Sequence, residues 1–374
     1  MASKLPQVTI IGAGLSGLAL GLSLQSKGIA SILYDRATSA SRYNYGITLY
    51  PSTYRPLLSL LDMDESSFRR TLAVNAHEGG LGSLSTSDGF RCHRGRLEAL
   101  LGRSLSIQWD KKLKEINMVP ASRDLNVVFE DGHQHKTTCL VGCDGPHSIT
   151  RQSLAAGIEP EVLPYVVFNG RRRMSPEEYA ARIREYMKHG VQLQTRVGNV
   201  FLEISVNDMS ESRVELSYVY SRPARDNGRD ALHHPGRATS GATDTPEAFY
   251  DELKSLHQSL ALPFRDVFDA DRVKKDRTLH WLMRCLTPEP KVAQQLSERG
   301  VLLIGDAVHA TPILGGEGAQ LAIQDGLDLA EYISNHGVDN LGQFASSKYD
   351  VWRRSVEDSK KRIAELHVVD PSRV

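Results

Sequence analysis

The sequence predicts a doubly wound α/β fold, with an antiparallel sheet interleaved into it and helices at its C-terminal end. Three observations carry that expectation. The chain opens on an apolar, β-branched run, Gln7 to Ile11, which ends at glycine and leads through an apolar helical stretch into a second strand. Two further apolar runs, Thr138 to Gly142 and Gly300 to Ile304, end in Cys143-Asp144-Gly145 and Gly305-Asp306. Between them, from Pro160 to about Leu282, stretches such as Val200 to Val206 and Arg213 to Tyr220 alternate as antiparallel strands do.

The elements follow in order. Leu15 to Ser26 is helical and closes at Lys27-Gly28, and Ile29 to Tyr34 is the second strand. Ala37 to Gly89 is rich in turn formers and holds one short helix near Tyr54 to Leu61. Gly95 to Ser104 is a helix with Leu97, Leu100 and Leu101 on one face. Leu125 to Glu130 and His133 to Thr138 form a hairpin about Asp131-Gly132. Ser175-Pro176-Glu177-Glu178 starts a helix, with its cap, a first-turn proline and acids at the positive end of the dipole. Arg222 to Thr245, full of Arg, Asp, Gly, His and Pro, is a long surface loop, and Pro246 to Leu260 is a helix. Gly315 to Asn335 is a loop running into a long helix, and Phe344 to His367 is the last, with Phe344, Trp352, Val356, Ile363 and Leu366 toward the core.

Composition excludes several classes. Lys plus Arg equals Asp plus Glu at 45 each, so the basic excess of a nucleic-acid binder is missing. The uncharged run Val8 to Leu24 could pass for a signal-peptide core, but its regularly spaced glycines and the acid downstream explain it better. No other segment approaches the roughly 20 apolar residues of a membrane span. Cys92, Cys139, Cys143 and Cys285 form no CxxC pair and are expected to be buried thiols in a reducing compartment. The expectation is a cytoplasmic protein without stable membrane insertion, monomeric or homodimeric.

The chemistry-bearing motifs sit at strand ends. In Gly12-Ala-Gly14-Leu-Ser-Gly17 the first glycine permits the tight turn, the second lets a pyrophosphate approach the backbone, and the third lets helix pack on strand. The helix that follows presents free N–H groups to phosphate. Asp35, at the end of the next strand, is placed to accept from ribose hydroxyls, and Arg36 is either a surface ion-pair partner or a cation beside the phosphates. Gly142-Cys-Asp144-Gly145-Pro-His-Ser148, followed by Arg151, is the second motif. Gly305-Asp306-Ala-Val-His309-Ala-Thr-Pro312, continuing to Gly315-Gly316-Glu317-Gly318-Ala319-Gln320, is the third. Ligands of open α/β sheets lie beyond the carboxyl ends of the strands, so these three ends converge on one crevice.

In that order the motifs resemble the GxGxxG, DG and GD motifs of flavin monooxygenases of the para-hydroxybenzoate hydroxylase type, the single-component aromatic hydroxylases. Gly46-Ile47-Thr-Leu49-Tyr-Pro51 is similar to that family's GIxLxP stretch, and His93-Arg94-Gly-Arg-Leu97 to its HRxxL segment. The ordered matches run from residue 8 to about 330; Pro160 to Leu282 matches in position and strand character only. The resemblance implies a Rossmann-like, three-layer FAD-binding fold made discontinuously of residues 1–50, 92–158 and 283–342. Residues 51–91 and 159–282 would bind substrate, and 343–374 would be the C-terminal helix.

It also implies site roles. Gly12, Gly14 and Gly17 would hold the pyrophosphate and Asp35 the adenosine ribose. Gly46 would line the cofactor site and Arg94 would reach its phosphates. Asp144, with Gly145, would contact cofactor and reductant, and Asp306 the ribityl hydroxyls. Gly316, Gly318 and Ala319 would bring N–H groups to the flavin pyrimidine edge, where reduced flavin is negative. Asp35 stands where Glu is usual, and Gln320 where Asn is frequent.

The implied function is an FAD- and NAD(P)H-dependent monooxygenase. One oxygen atom from O2 would be inserted through a flavin hydroperoxide into an aromatic or polyketide-like small molecule, with NADPH or NADH as reductant. Three residues are candidates for handling the substrate. Tyr218 and Tyr220 share one face of a strand that either faces the flavin or belongs to the core. Arg171 opens the run Arg171-Arg172-Arg173, expected as an exposed turn and alternatively as a clamp for acidic groups. His309 is expected to pack or anchor its loop. Epoxidation, Baeyer-Villiger oxidation, reduction and a non-redox cyclisation on structural FAD remain alternatives. Halogenation is disfavoured by the lack of a WxWxIP segment, and a plain NAD dehydrogenase by the Asp-Gly and Gly-Asp strand ends.

Overall fold

The computed structural model describes residues 7–39, 44–85, 87–119, 122–225, 230–238 and 242–368. The chain enters through β1 (Val8–Ile11), α1 (Leu15–Ser26) and β2 (Ser31–Tyr34), as the glycine-punctuated apolar runs require. Then come β3 (Gly46–Leu49), α2 (Pro51–Leu61), α3 (Glu65–Leu72), β4 (Phe90–His93) and α4 (Arg94–Gly102). The helix α3 departs from the expected turn-rich stretch. Asp64 caps it by accepting from the Ser67 N–H at 2.9 Å, and Phe68 and Leu72 give it a buried face.

Next are β5 (Ile107–Gln108), β6 (Leu113–Met118), β7 (Leu125–Phe129), β8 (Gln134–Thr137) and β9 (Leu140–Gly142). The β7–β8 hairpin falls where Asp131-Gly132 predicts it, with Gly132 at φ 83°. The strands β1, β2, β5 and β9 join the later β15 (Val301–Leu303) in an all-parallel sheet of order β15-β9-β1-β2-β5. Alternation divides its faces. Leu33 points at α1, where a Cβ on Gly21 would lie 3.1 Å from it. Its neighbour Tyr34 points the other way, onto Phe129 at 4.7 Å between ring centroids. The small β6-β7-β8 sheet therefore covers one face and helices the other, which gives three layers.

The rest of the chain runs through α5 (Ile149–Leu154), β10 (Glu161–Met174), α6 (Pro176–Arg182), β11 (Gln192–Val197), β12 (Val200–Met209) and β13 (Val214–Pro223). It continues through α7 (Glu247–Leu256), α8 (Phe264–Val267), α9 (Ala270–Val273), β14 (Arg277–Cys285) and α10 (Pro290–Glu298) to β15, and ends in α11 (Gly318–His336) and α12 (Leu341–Leu366). The antiparallel sheet has the order β11-β12-β13-β10-β14. Its back face, with Phe168, Leu216, Tyr218 and Tyr220, packs on Phe249, Leu253 and Phe268 of the α7–α9 segment. Its front face packs Val167, Val219 and Met283 on Val356 and Ile363 of α12. The expected boundary at residues 282 and 283 falls inside β14.

Two expectations are corrected here. Arg171, Arg172 and Arg173 are not a turn but part of β10, whose 14 residues pair with β13 and β14 on either side. Alternation buries Arg172, which pairs with Asp276 at 2.7 Å. The supposed surface loop at 222–245 begins inside β13, and its described part is pinned rather than loose. Asp230, 4% exposed, takes a two-pronged hydrogen bond from Arg222 at 2.6 and 2.9 Å and two backbone N–H groups. Burial alone would raise the Asp230 pKa, but the Arg222 bonds outweigh it and hold the carboxylate below its ordinary range. All four cysteines are buried free thiols.

Candidate active site

The three motif-bearing strands β1, β9 and β15 are parallel neighbours, so their carboxyl ends lie side by side. At the first end Gly12 adopts φ 106°, and a Cβ there would meet the Cys143 carbonyl at 2.4 Å. A Cβ on Gly17 would come within 2.0 Å of the Gly12 carbonyl. Both positions demand glycine, one for the turn and one for the approach of helix to strand. Gly14 differs: nothing lies within 4 Å of where its Cβ would be. It opens α1 with no capping side chain and no acid in the first turn, leaving N–H groups aimed outward.

Asp35 braces this loop. Its carboxylate accepts from the Ala13 N–H at 2.7 Å and the Ala37 N–H at 2.8 Å, and it is 3% exposed. Part of its acceptor capacity thus goes to the backbone. Arg36 beside it is exposed. Next to the loop lies a cavity of about 220 Å³ between α1 and α4, lined by Ala13, Leu18, Glu98, Arg103, Ile107 and Trp109. Glu98 on its wall accepts from Arg94 at 2.9 Å, and Arg94 also donates to the Tyr45 hydroxyl.

At the second end Asp144 is largely spent within the protein. It accepts from Ser148 Oγ at 2.6 Å and from the Thr150 N–H and hydroxyl at 2.9 and 3.1 Å, which fixes the start of α5. Burial raises its pKa, partly offset by those bonds. Gly145, at φ 81° with no atom within 4 Å of its would-be Cβ, keeps the loop open. Arg151, 1% exposed, donates to the carbonyls of Ala307 and Pro146 at 2.7 Å and of Ile158 at 3.2 Å. It clasps the second motif to the third, a role its place three residues after Ser148 did not disclose.

The third end carries a different carboxylate. Asp306 accepts no hydrogen bond from the described residues, and burial raises its pKa against the lowering effect of His309 and Arg94. The loop that holds it is rigid. Asp325 of α11 accepts from the Gly305 N–H at 2.8 Å, from His309 Nε2 at 2.6 Å and from Trp352 Nε1 at 2.8 Å. His309 stacks on Trp352 with centroids 5.3 Å apart, so it anchors its loop as expected. Sequence reasoning missed Asp325. It is an acid among the apolar positions of α11, buried with Ile323, Gly326 and Leu329, and that isolation was the available signal.

Beyond Asp306, Gly316 turns at φ 78° with open space around it, and Gly318 starts α11 close to Thr311 and Asp306. Neither a side-chain cap nor an acid occupies the first turn. Ala319 is half-buried there, and both amide atoms of Gln320 are buried without a partner. The crevice thus presents two uncapped helix N-termini, one bare carboxylate and one orphaned amide. That donor set fits a dinucleotide carrying polyhydroxyl and imide groups. Gly46 lies farther toward the second sheet. Its N–H donates to Asn207 Oδ1 at 3.0 Å, and a Cβ would strike the Arg91 side chain at 2.7 Å.

The substrate candidates fare differently. The front face of the antiparallel sheet is the one toward the crevice, because Ser205 meets Arg91 of β4 and Asn207 meets Gly46 of β3. Tyr218 and Tyr220 alternate onto the back face. Tyr218 donates to Asp276 at 2.8 Å and Tyr220 donates to Glu252. Burial, and then the neighbouring carboxylate, raises both phenol pKa values far above neutrality. They are core tyrosines that do not reach the crevice. Tyr218→Phe and Tyr220→Phe are expected to leave kcat and KM unchanged and to cost about 1 kcal/mol of stability each, read from urea denaturation. Arg171 is on the front face, donating to the Asn44 carbonyl and 3.8 Å from Glu215.

This arrangement, a dinucleotide crevice under a covering antiparallel sheet, defines a flavoprotein oxidoreductase. Residues 102–341 match the family described as FAD binding domain. The chain is 30% identical to the FAD-dependent monooxygenase nscC of Aspergillus fumigatus, over 98% of this chain and 96% of that one. It is 28% identical to the FAD-dependent monooxygenase aptC of Emericella nidulans, over 96% and 95%. In fold it is similar to 2,6-dihydroxypyridine-3-hydroxylase from Arthrobacter nicotinovorans, with TM-score 0.73, 19% identity and coverage of 99% and 95%. It is likewise similar to Klebsiella pneumoniae HpxO complexed with FAD and uric acid, with TM-score 0.69, 18% identity and coverage of 97% and 89%. The chain belongs to the FAD-dependent monooxygenases of the para-hydroxybenzoate hydroxylase type. Its cofactor is FAD. No helix among the described residues is long and apolar enough to cross a membrane.

Proposed function

We propose that this monooxygenase uses NADPH or NADH to insert one oxygen atom from O2 into an aromatic, polyketide-like small molecule. The observation that carries the reading is the bare Asp306 carboxylate beside the uncapped N-terminus of α11. When bound, FAD supplies the redox and oxygen chemistry. The chain's own residues supply position and environment. Gly14 and the α1 N-terminus would take the pyrophosphate, Asp35 the adenosine ribose and Asp306 the ribityl hydroxyls. The N–H groups of Gly318 and Ala319 would stabilise negative charge at the pyrimidine edge.

The front face of the sheet would position the substrate. It offers Asn169, whose amide donates to Ser217 Oγ at 3.0 Å, beside the apolar Val219 and the half-buried Trp281. Seating α12 against this face would limit water around the reacting atoms. A nicotinamide reductant would have a cationic approach beside Asp144. Burial and then Arg284, Arg36 and Arg151 lower the His147 pKa, and Arg237 also feels Arg284. Such a patch suits the phosphates of a nicotinamide cofactor. The test is incubation of the FAD-loaded chain with NADPH, 18O2 and a panel of phenols and polycyclic aromatic ketones. One 18O atom per product, with NADPH oxidation stimulated by the same compound, is expected. Substrate turnover without 18O incorporation or NAD(P)H consumption would favour non-redox cyclisation instead.

A further inference from the structure

Among the described residues the fully buried Arg151, Arg172 and Arg222 are matched to acceptors, whereas Arg91, like Arg237, keeps buried guanidinium nitrogen without a partner. Arg172 has Asp276, Arg222 has Asp230 and Glu252, and Arg151 has three carbonyls. Arg91 makes no ion pair among the described residues. Its Nη2 donates to Ser205 Oγ at 3.1 Å, its Nη1 is 3.5 Å from Thr48 Oγ1, and its Nε is buried with no partner. Burial pulls its pKa below the ordinary guanidinium value, with Glu203 the largest opposing influence. Glu203 is itself engaged by Gln194 at 2.9 Å. A half-buried cation held only by hydroxyls, with its Nε buried and unpartnered, is costly, and such groups cluster where a ligand completes them.

Its position says which ligand. Arg91 is in β4, paired with Thr48 of β3, and β3 packs on both α11 and β12. The guanidinium therefore lies where the element beside the cofactor crevice meets the front face of the second sheet. Gly46 clears room for it, since a Cβ there would stand 2.7 Å from Nε. From Arg91 a row of polar groups crosses that face. Ser205 pairs in register with Ser217, and Ser217 accepts from Asn169. A row of donors and hydroxyls headed by an unmatched cation suits an oxygen-rich aromatic ring whose leading oxygen is anionic.

Resting on the aromatic monooxygenase reading above, we infer that Arg91 anchors the substrate by an anionic oxygen, a phenolate, enolate or carboxylate, and so determines substrate class. The charge also favours ionisation of a bound phenol, which makes the ring a better nucleophile toward an electrophilic oxygen. Arg91 acts as a binding and specificity residue and takes no proton.

The test uses the full chain loaded with FAD, the flavin absorption change as the binding signal, and salicylate, salicylamide and 1,8-dihydroxynaphthalene as probes. Arg91→Met is expected to weaken binding of an anionic probe by about 100-fold and Arg91→Lys by less, because lysine keeps the charge but not the fork. Loss confined to salicylate identifies a carboxylate, and loss extending to 1,8-dihydroxynaphthalene a phenolate. Equal binding of every probe by wild type and Arg91→Met overturns the inference. Should no probe perturb the wild-type flavin, thermal melting without ligand decides. A Tm of Arg91→Met equal to or above wild type supports a cation kept for a ligand, and a fall of several degrees shows a structural arginine and overturns it. Flavin retention at the outset separates the two levels: a chain that binds no FAD contradicts the functional reading, whereas probe binding indifferent to Arg91 contradicts this inference alone.

Discussion

Asp306→Ala is expected to purify without flavin colour and to bind added FAD about 100-fold more weakly than wild type. The carboxylate makes no hydrogen bond to the described protein and faces the crevice beside the start of α11. Two charge-assisted bonds to ribityl hydroxyls would be lost, worth together about 3 kcal/mol after discounting for water in the empty site. Titration of the FAD-free chain with FAD, followed by flavin fluorescence, measures the effect. The sign of the stability change distinguishes a ligand-binding carboxylate from a structural one. Burial raises the Asp306 pKa in the folded chain. A raised carboxylate costs stability at every pH above its unfolded pKa, and the cost disappears below that pH. The FAD-free variant should therefore be at least as stable as FAD-free wild type at pH 7, with the difference vanishing near pH 3. A structural Asp306 would give a less stable variant at pH 7.

Asp325→Ala is expected to have the largest effect on stability of any single change near the crevice. One carboxylate takes the Gly305 N–H, His309 Nε2 and Trp352 Nε1, all within 2.8 Å. Its removal strands three buried donors and leaves a cavity between α11 and α12, a loss of about 3–5 kcal/mol. Urea denaturation of the FAD-free chain gives the magnitude. The cost should propagate to the cofactor, because Gly305 at φ 60° carries Asp306 on the next residue. Weakened FAD binding on top of lower stability is the expected pattern. An unchanged denaturation midpoint would mean that the Asp325 network contributes nothing net.

The parts of this site legible in the sequence are those where backbone geometry restricts residue choice. Gly12 and Gly17 tolerate no Cβ, and Gly14 faces open space, so the glycine spacing, taken with the Gly- and Asp-bearing ends of two further strands, pointed to the crevice. The parallel sheet followed from three apolar runs that each end in Gly or Asp. What stayed hidden depends on contacts between distant segments. Alternation put Tyr218 and Tyr220 on one face, but which face meets the crevice is decided by the α7–α9 segment, some 30 residues on, which covers the back. The arginine run looked like a turn because charge suggests exposure, yet Asp276 across the sheet neutralises Arg172. Asp35 and Asp144 were expected to face ligand, and both also hold backbone, since a loop that binds a ligand needs its own supports. Arg91 gave no signal in sequence because its lack of an ion pair among the described residues is a property of the packed structure.

The central claim, that this crevice holds a redox-active flavin, is tested most directly by one spectrum. The purified chain, supplemented with FAD and freed of excess, is scanned from 300 to 550 nm, then again anaerobically after NADPH with each member of an aromatic panel. The account predicts an oxidised flavin band that bleaches faster in the presence of one class of compound. A chain that retains no flavin, or a bound flavin that no combination of reductant and aromatic compound bleaches, would contradict it.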